Sequence, residues 1–340
     1  MKSHRWYTPY ILLSVPVTWV LVFSLWPFLN TVILAFTDAR PLRAAKFVGL
    51  ENFRTLFADP QFIYAITTCL IYVVVCVPLL TLLPLVLALL VEKKIPGISA
   101  FRTAYYFPVV ASVVVVGIIW AWIFDSRGVI NQSLEAFGLI DQPVNFLVDR
   151  WWLIATAILL TVWKGLGYYM VVYLAALGNV TKDLHEAAAI DGANGWRRFW
   201  SITVPGVRGA MVLIAALISV SAMRIFSEIY VLSNGTGGPG GQAQSIVMMV
   251  QQVGSGLGGR LGYASAISVV LFFLTIGPLS LVGFLNYGSE IKTFREHRAA
   301  RKRAKEALAR VEAGNHPDSG ADVGLPTAMA ADSDVTGRTQ

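Results

Sequence analysis

Residues 62–91 read FIYAITTCLIYVVVCVPLLTLLPLVLALLV, an uninterrupted apolar run without one Asp, Glu, Lys or Arg. At about 1.5 Å of rise per residue the run is about 45 Å long as a helix, more than the roughly 30 Å of a bilayer's hydrocarbon core. Lipid offers backbone N–H and C=O groups no water to bond, so a segment of this kind crosses as a helix that pairs its own peptide groups. Pro78 and Pro84 lie inside it and predict tilting or kinking. Both cysteines of the chain, Cys69 and Cys76, also lie here. They would be about 10.5 Å apart along a helix axis, too far to bridge, and read as small buried hydrophobes.

Working outward, five more apolar windows have the same character: Tyr10–Phe36, Thr103–Phe124, Trp152–Leu177, Ala210–Leu232 and Ala264–Tyr287. Six spans fit a chain of 340 residues that is 56% hydrophobic and 14% charged, and such a composition excludes an ordinary soluble domain. The fold class is therefore an all-α polytopic membrane protein. The first window follows Lys2 and Arg5 but is much longer than a signal-peptide core and lacks a clear small-residue cleavage site, so it reads as an uncleaved helix.

The net charge of +7 is better explained by membrane orientation than by nucleic acid, because the cations sit in short loops and one tail without interleaved aromatics. With the N-terminus inside, Lys2, Arg5, Lys93, Lys94, Arg102, Lys182, Arg197, Arg198, Arg208 and the basic tail are cytoplasmic. Arg40, Arg43, Lys46 and Arg54 oppose this orientation, and the tail outweighs them. The organisation is then a cytoplasmic N-terminus over 1–9, a six-helix domain over 10–288, and a cytoplasmic tail over 289–340, basic first and then disordered.

Between the fourth and fifth spans, residues 179–209 mix small, charged and aromatic residues in place of a plain linker. Glu186-Ala187-Ala188-Ala189-Ile190 is a run of helix formers, Gly192 stops or bends it, and Trp196, Phe199 and Trp200 follow beside Arg197 and Arg198. The pattern predicts helix, turn, helix. Small side chains beside a Glu suit docking into a groove on another protein, and an amphipathic helix lying on the membrane surface is the alternative.

Glu186-Ala187-Ala188, then Gly192, Ile202 and Val204-Pro205 at their spacings, with Asp191 and Ala193 flanking the glycine, resemble the EAA signature of the permease subunits of ATP-driven, binding-protein-dependent (ABC) importers. Val204 stands where that signature usually has Leu. Gly49-Leu50-Glu51-Asn52-Phe53, Phe101-Arg102-Thr103 with Phe107-Pro108, and Tyr230-Val231-Leu232-Ser233 followed, after a two-residue insertion, by Gly237-Gly238-Pro239 are similar to the sugar-permease branch, near the maltose and glycerol-phosphate permeases. The resemblance covers about residues 5–290. It implies a type I importer fold in the bacterial inner membrane, a second permease subunit forming a heterodimer, two ATPase subunits and an external solute-binding protein. It further implies that Glu186, Ala187, Ala188, Asp191, Gly192, Ala193 and Pro205 belong to the ATPase-coupling element, with Glu186 as the charged contact.

Nothing in the chain can clamp a nucleoside triphosphate in the P-loop manner. It has no Gly-x-x-x-x-Gly-Lys-Ser/Thr sequence, and Gly254, Gly256 and Gly259 match Gly-x-Gly-x-x-Gly without a preceding strand. ATP and Mg²⁺ are accordingly expected on the partner ATPase, with no cofactor bound here. His4, His185, His297 and His316 lack metal-ligand spacing, which argues against an enzyme.

Charges inside spans are costly and mark functional candidates. Thr161, Lys164, Gly165 and Tyr168 fall on one face of the fourth span, and Ser221, Arg224 and Glu228 repeat the device on the fifth. Together they are candidates for the substrate pathway. The alternative is that Lys164 or Arg224 only pairs with Glu228 to hold helices together. Two cations against one acid leave a positive surplus that favours a phosphorylated or acidic cargo. Glycerol phosphate, a polyamine or an oligopeptide are alternative cargoes. An ion-gradient secondary transporter is the alternative class, although only Glu228 offers a midplane acid and no inverted repeat is visible.

Overall fold

The computed structural model describes residues 7–92 and 95–284. The 289–340 tail and positions 285–287 of the sixth window lie outside the described residues, as do Lys93 and Lys94. Among the described residues every regular element is helical, apart from isolated bridges pairing Thr37 with Phe47 and Arg40 with Arg43.

Four helices are each long and apolar enough to cross a membrane: Tyr10–Leu34, Pro60–Val91, Arg150–Leu177 and Leu261–Phe284. They are spans one, two, four and six. The other two crossings are not the straight helices predicted over Thr103–Phe124 and Ala210–Leu232. Span three consists of Ile98–Val110 and Val113–Ile123, bent by 97°, and Arg208–Met223 of span five meets the preceding Gly195–Gly206 stretch at 70°. Span five breaks again after Met223 and resumes as Ser227–Leu232.

The sequence places prolines in spans two and three, and the outcomes differ. Span two remains helical through Pro78 and Pro84 for 32 residues, and the Tyr173 hydroxyl donates to the Thr81 carbonyl at 2.8 Å in the turn before Pro84. Span three carries Pro108 near the end of its first half, and the backbone at Ala111 and Ser112 is extended. A break in lipid is tolerated only when the freed carbonyls find partners. Here Lys164 of span four supplies them, a distant residue that no local reading of span three could have named.

Spans two and four and the first half of span five form the core, with Tyr72, Leu85, Leu160, Met170, Tyr173 and Ile214 fully buried. Lipid tails are as apolar as leucine, so close van der Waals packing must hold these helices together. Gly167 shows how close. A Cβ added there would strike the Tyr105 carbonyl, so the first half of span three lies directly on span four. Span one is exposed along its length, and Phe28 meets Phe272 of span six with ring centroids 5.2 Å apart.

The connections gather at two ends. At one, the buried Asn52 side chain donates to the carbonyls of Ala35 and Thr37 at 2.9 and 2.8 Å, locking the first connection onto span one. There too the Tyr263 hydroxyl donates to Asp59 at 2.8 Å, and Gln61 donates to the Gly240 carbonyl at 2.9 Å. At the other end, Arg102 donates to the Val91 carbonyl at 2.6 Å, and residues 178–207 fold as a separate helical loop.

Replacing Gly167 by Leu is expected to lower the midpoint of thermal unfolding of the detergent-solubilised protein, through overpacking that costs about 1–3 kcal/mol. Gly277→Leu, where a Cβ meets nothing within 4 Å, is expected to leave it unchanged, so equal shifts for the two variants would contradict this packing.

Candidate functional site

All seven residues read from the sequence as a substrate pathway meet at one cavity. Thr161, Lys164, Gly165 and Tyr168 of span four and Ser221, Arg224 and Glu228 of span five line a space of about 430 Å³. Helical spacing explains the first four, which recur over two turns of an unbroken helix. The second set is brought in by the break in span five. Helix Arg208–Met223 ends at Arg224, Phe226 is non-helical, and Ser227–Leu232 begins a new turn, so the non-helical backbone borders a cavity and not lipid.

Sequence reading missed the contribution of span two. Tyr72, Cys76 and Leu80 also line the space, at successive intervals of four on one helical face. Val109, next to the break in span three, lines it as well, as do Tyr169, Phe226 and Ser227. The Phe226 ring stacks on Tyr230 with centroids 5.0 Å apart.

Lys164 directs its hydrogen bonds to backbone carbonyls and not to Glu228, the pairing held as the alternative, although its charge still acts on Glu228. Its Nζ donates to the carbonyls of Pro108, Val109 and Ala111 at 3.0, 3.1 and 2.6 Å, and an ammonium has three protons to give. It therefore closes the C-terminal end of the first half of span three, where unpaired carbonyls and the helix dipole favour a cation. Arg224 and Glu228 line the cavity together with Lys164, two cations and one acid. Thr161 donates its hydroxyl to the Ala157 carbonyl at 2.9 Å.

The predicted helix–turn–helix is present in residues 179–209. Helix Lys182–Ile190 ends at Gly192, whose φ of +77° suits a residue without a Cβ. Gly192 N–H donates to Ala189 at 3.1 Å and Ala193 N–H to Ala188 at 2.9 Å, the two bonds of a Schellman closure. Asn194 then caps the next helix by accepting from Arg197 N–H at 2.9 Å. Glu186, Ala187, Asp191, Gly192 and Pro205 are exposed, whereas Ala188 and Ala193 are half-buried. Apolar side chains are exposed beside them, Ile190 at 87% and Trp196 at 72%, and Trp196, Phe199 and Trp200 form an aromatic cluster.

Gly254, Gly256 and Gly259 lie between helix Ile246–Gly254 and span six, in a turn closed by Arg260 N–H donating to Val253 at 2.9 Å. No strand precedes them among the described residues. Trp163 packs on Trp120 with centroids 5.7 Å apart.

A multi-pass helical bundle with a cavity that brings charged and hydroxyl side chains together beside two broken crossings, and with a capped helical loop at one end, has the build of a solute permease. The chain belongs to the family of binding-protein-dependent transport system inner membrane components, whose sequence model matches residues 55–287. It is 31% identical over 264 residues to the lactose transport system permease protein LacF of Rhizobium radiobacter, covering 77% of this chain and 88% of that one. It is 30% identical to the arabinooligosaccharides transport system permease protein AraP of Halalkalibacterium halodurans, over 85% of this chain and 94% of that one. Among solved structures it is similar to a chain of a bacterial ABC transporter involved in the import of the acidic polysaccharide alginate, with a TM-score of 0.70 and 27% identity, covering 84% of this chain and 95% of that chain. The protein is thus a multi-pass permease subunit of a binding-protein-dependent importer.

Filling the cavity is expected to stop transport without unfolding the bundle. For Ser221→Trp, whose side chain starts from an exposed position on the lining, uptake by the assembled importer should fall roughly ten-fold or more while the unfolding midpoint stays within about 2 °C. Unaltered uptake would remove the cavity from the pathway.

Proposed function

We propose that this chain forms one half of the translocation pathway of an ATP-driven saccharide importer, and that cargo passes through the cavity shared by spans two, four and five. The single observation that carries the reading is the convergence of hydroxyl, aromatic and charged side chains on a space of about 430 Å³ inside an otherwise apolar bundle. Saccharide as the cargo class is supported by the lactose and arabinooligosaccharide transport named for two relatives. The lining keeps a surplus cation, since Lys164 and Arg224 stand against Glu228 alone and hydrogen bonds to carbonyls do not cancel the Lys164 charge, so acidic and neutral saccharides both fit this reading. The Lys164 ammonium donates to backbone carbonyls, and Arg224 and Glu228 line the same space. Sugars satisfy such a site through hydroxyl bonds to Ser221, Arg224 and Glu228 and through stacking on Tyr168.

In this reading the N-terminus and the tail are cytoplasmic, and residues 179–209 face the ATPases. Helix Lys182–Ile190 docks into a cleft of one ATPase subunit, with Glu186 meeting a basic residue and Ile190 and Trp196 covered by the contact. ATP and Mg²⁺ are held by the two ATPase subunits. A second permease chain completes the pathway, and the external binding protein delivers cargo to the end formed by the Asn52, Asp59 and Gln61 contacts. Closure of the nucleotide-bound ATPase pair is transmitted through the loop to the spans, which shift between two accessible states.

Reversing the charge of the docking helix tests the coupling. Glu186→Lys should insert and assemble normally yet lose ATP-dependent uptake in vesicles by about ten-fold or more. Uptake equal to that of the unsubstituted importer would refute this role for the loop.

A further inference from the structure

We infer that Lys164 is a positioning residue, which holds span three in its broken form and so sets the wall of the cavity, and that it takes no part in binding cargo. The inference rests on the permease reading above and adds a role to one of its residues.

The half-helix Ile98–Val110 ends inside the bundle, because Ala111 and Ser112 are extended. Its final carbonyls have no following turn to accept from. Lys164 Nζ reaches three carbonyl oxygens there, those of Pro108, Val109 and Ala111, within 3.1 Å. One ammonium thus replaces a missing turn of helix, and the site is favourable to it because the dipole end is negative. A cargo oxygen could enter its coordination only by leaving one of these carbonyls unpaired in a low-dielectric setting, and that exchange is unfavourable.

What the lock positions can be read from the packing. The second half of span three, Val113–Ile123, lies against Ser227–Leu232 so closely that a Cβ on Gly117 would approach Val231 to 2.9 Å. Trp120 of the same half packs on Trp163 of span four. Ser227 and Glu228, at the start of the partner helix, line the cavity, as does Val109 beside the break. The bend at Ala111 and Ser112 therefore determines where Glu228 sits, and Lys164 determines the bend.

The test uses the assembled importer in proteoliposomes, with Ser112→Cys as a reporter and the chain without it, whose Cys69 and Cys76 are buried, as the labelling blank. A small water-soluble maleimide reads the reporter in the absence of cargo, and ATP-dependent uptake is measured with lactose and with a uronic-acid disaccharide. Lys164→Met should change the labelling rate about ten-fold and cut the maximal uptake of both sugars about ten-fold, with KM held within about two-fold. Lys164→Arg, which keeps a charged donor, should restore the labelling rate and most of the uptake. Should Lys164→Met fail to assemble, Lys164→Gln, with two amide N–H donors, should lie between the methionine and arginine results. Unchanged labelling, together with a raised KM or a response that differs between the neutral and acidic sugars, would overturn the inference and make Lys164 a cargo contact. If the unsubstituted importer takes up neither sugar, the saccharide reading fails, while the cargo-free labelling still decides the role of Lys164.

Discussion

Inside a bilayer a peptide group has no water to bond, and this constraint accounts for most of what the chain does with its backbone. Spans one, two, four and six answer it with long helices that pair their own N–H and C=O groups. Spans three and five do not, and the exceptions define the site. At Ala111 and Ser112 the helix stops and Lys164 takes up the exposed carbonyls. Around Arg224–Phe226 the chain breaks where it borders the cavity. A charge in a span is costly alone, and here the cost of the Lys164 ammonium and that of the unpaired carbonyls offset each other.

The same economy shapes both ends of the bundle. Asn52 is buried against span one, because its amide satisfies the carbonyls of Ala35 and Thr37 where the helix ends. In residues 179–209 the Schellman closure at Gly192 and the Asn194 cap fix the two short helices, while Val180, Phe199 and Val204 pack against the core, so the loop presents its exposed apolar face in a set shape. Exposed Ile190 and Trp196 next to Glu186 then fit an element meant to be covered by a partner, since a docking helix needs both a fixed shape and an apolar surface.

Much of this was legible in the sequence because it depends on local regularities. Hydrophobic run length located the four long spanning helices and the two bent pairs, the three- and four-residue spacing put Thr161, Lys164, Gly165 and Tyr168 on one face, and Gly192 announced the turn between two helices. The two breaks were not legible. Pro78, Pro84 and Pro108 look alike as letters, yet only the last sits beside a break, and the difference is a lysine more than fifty positions away. For the same reason the sequence put Lys164 on the cavity face beside Arg224 and Glu228 but did not reveal its carbonyl partners. Tyr72, Cys76 and Leu80 were hidden by the uniform greasiness of span two, where every face of the helix reads as equally apolar.

The most direct measurement is a cryo-electron microscopy reconstruction of the assembled importer trapped with its binding protein and an oligosaccharide. The account predicts sugar density in the cavity between spans two, four and five, within hydrogen-bonding distance of Arg224 or Glu228, while the Lys164 ammonium remains on the carbonyls of Pro108, Val109 and Ala111. Sugar density confined to a route outside that cavity, or a Lys164 side chain swung onto the cargo with span three straightened, would contradict it.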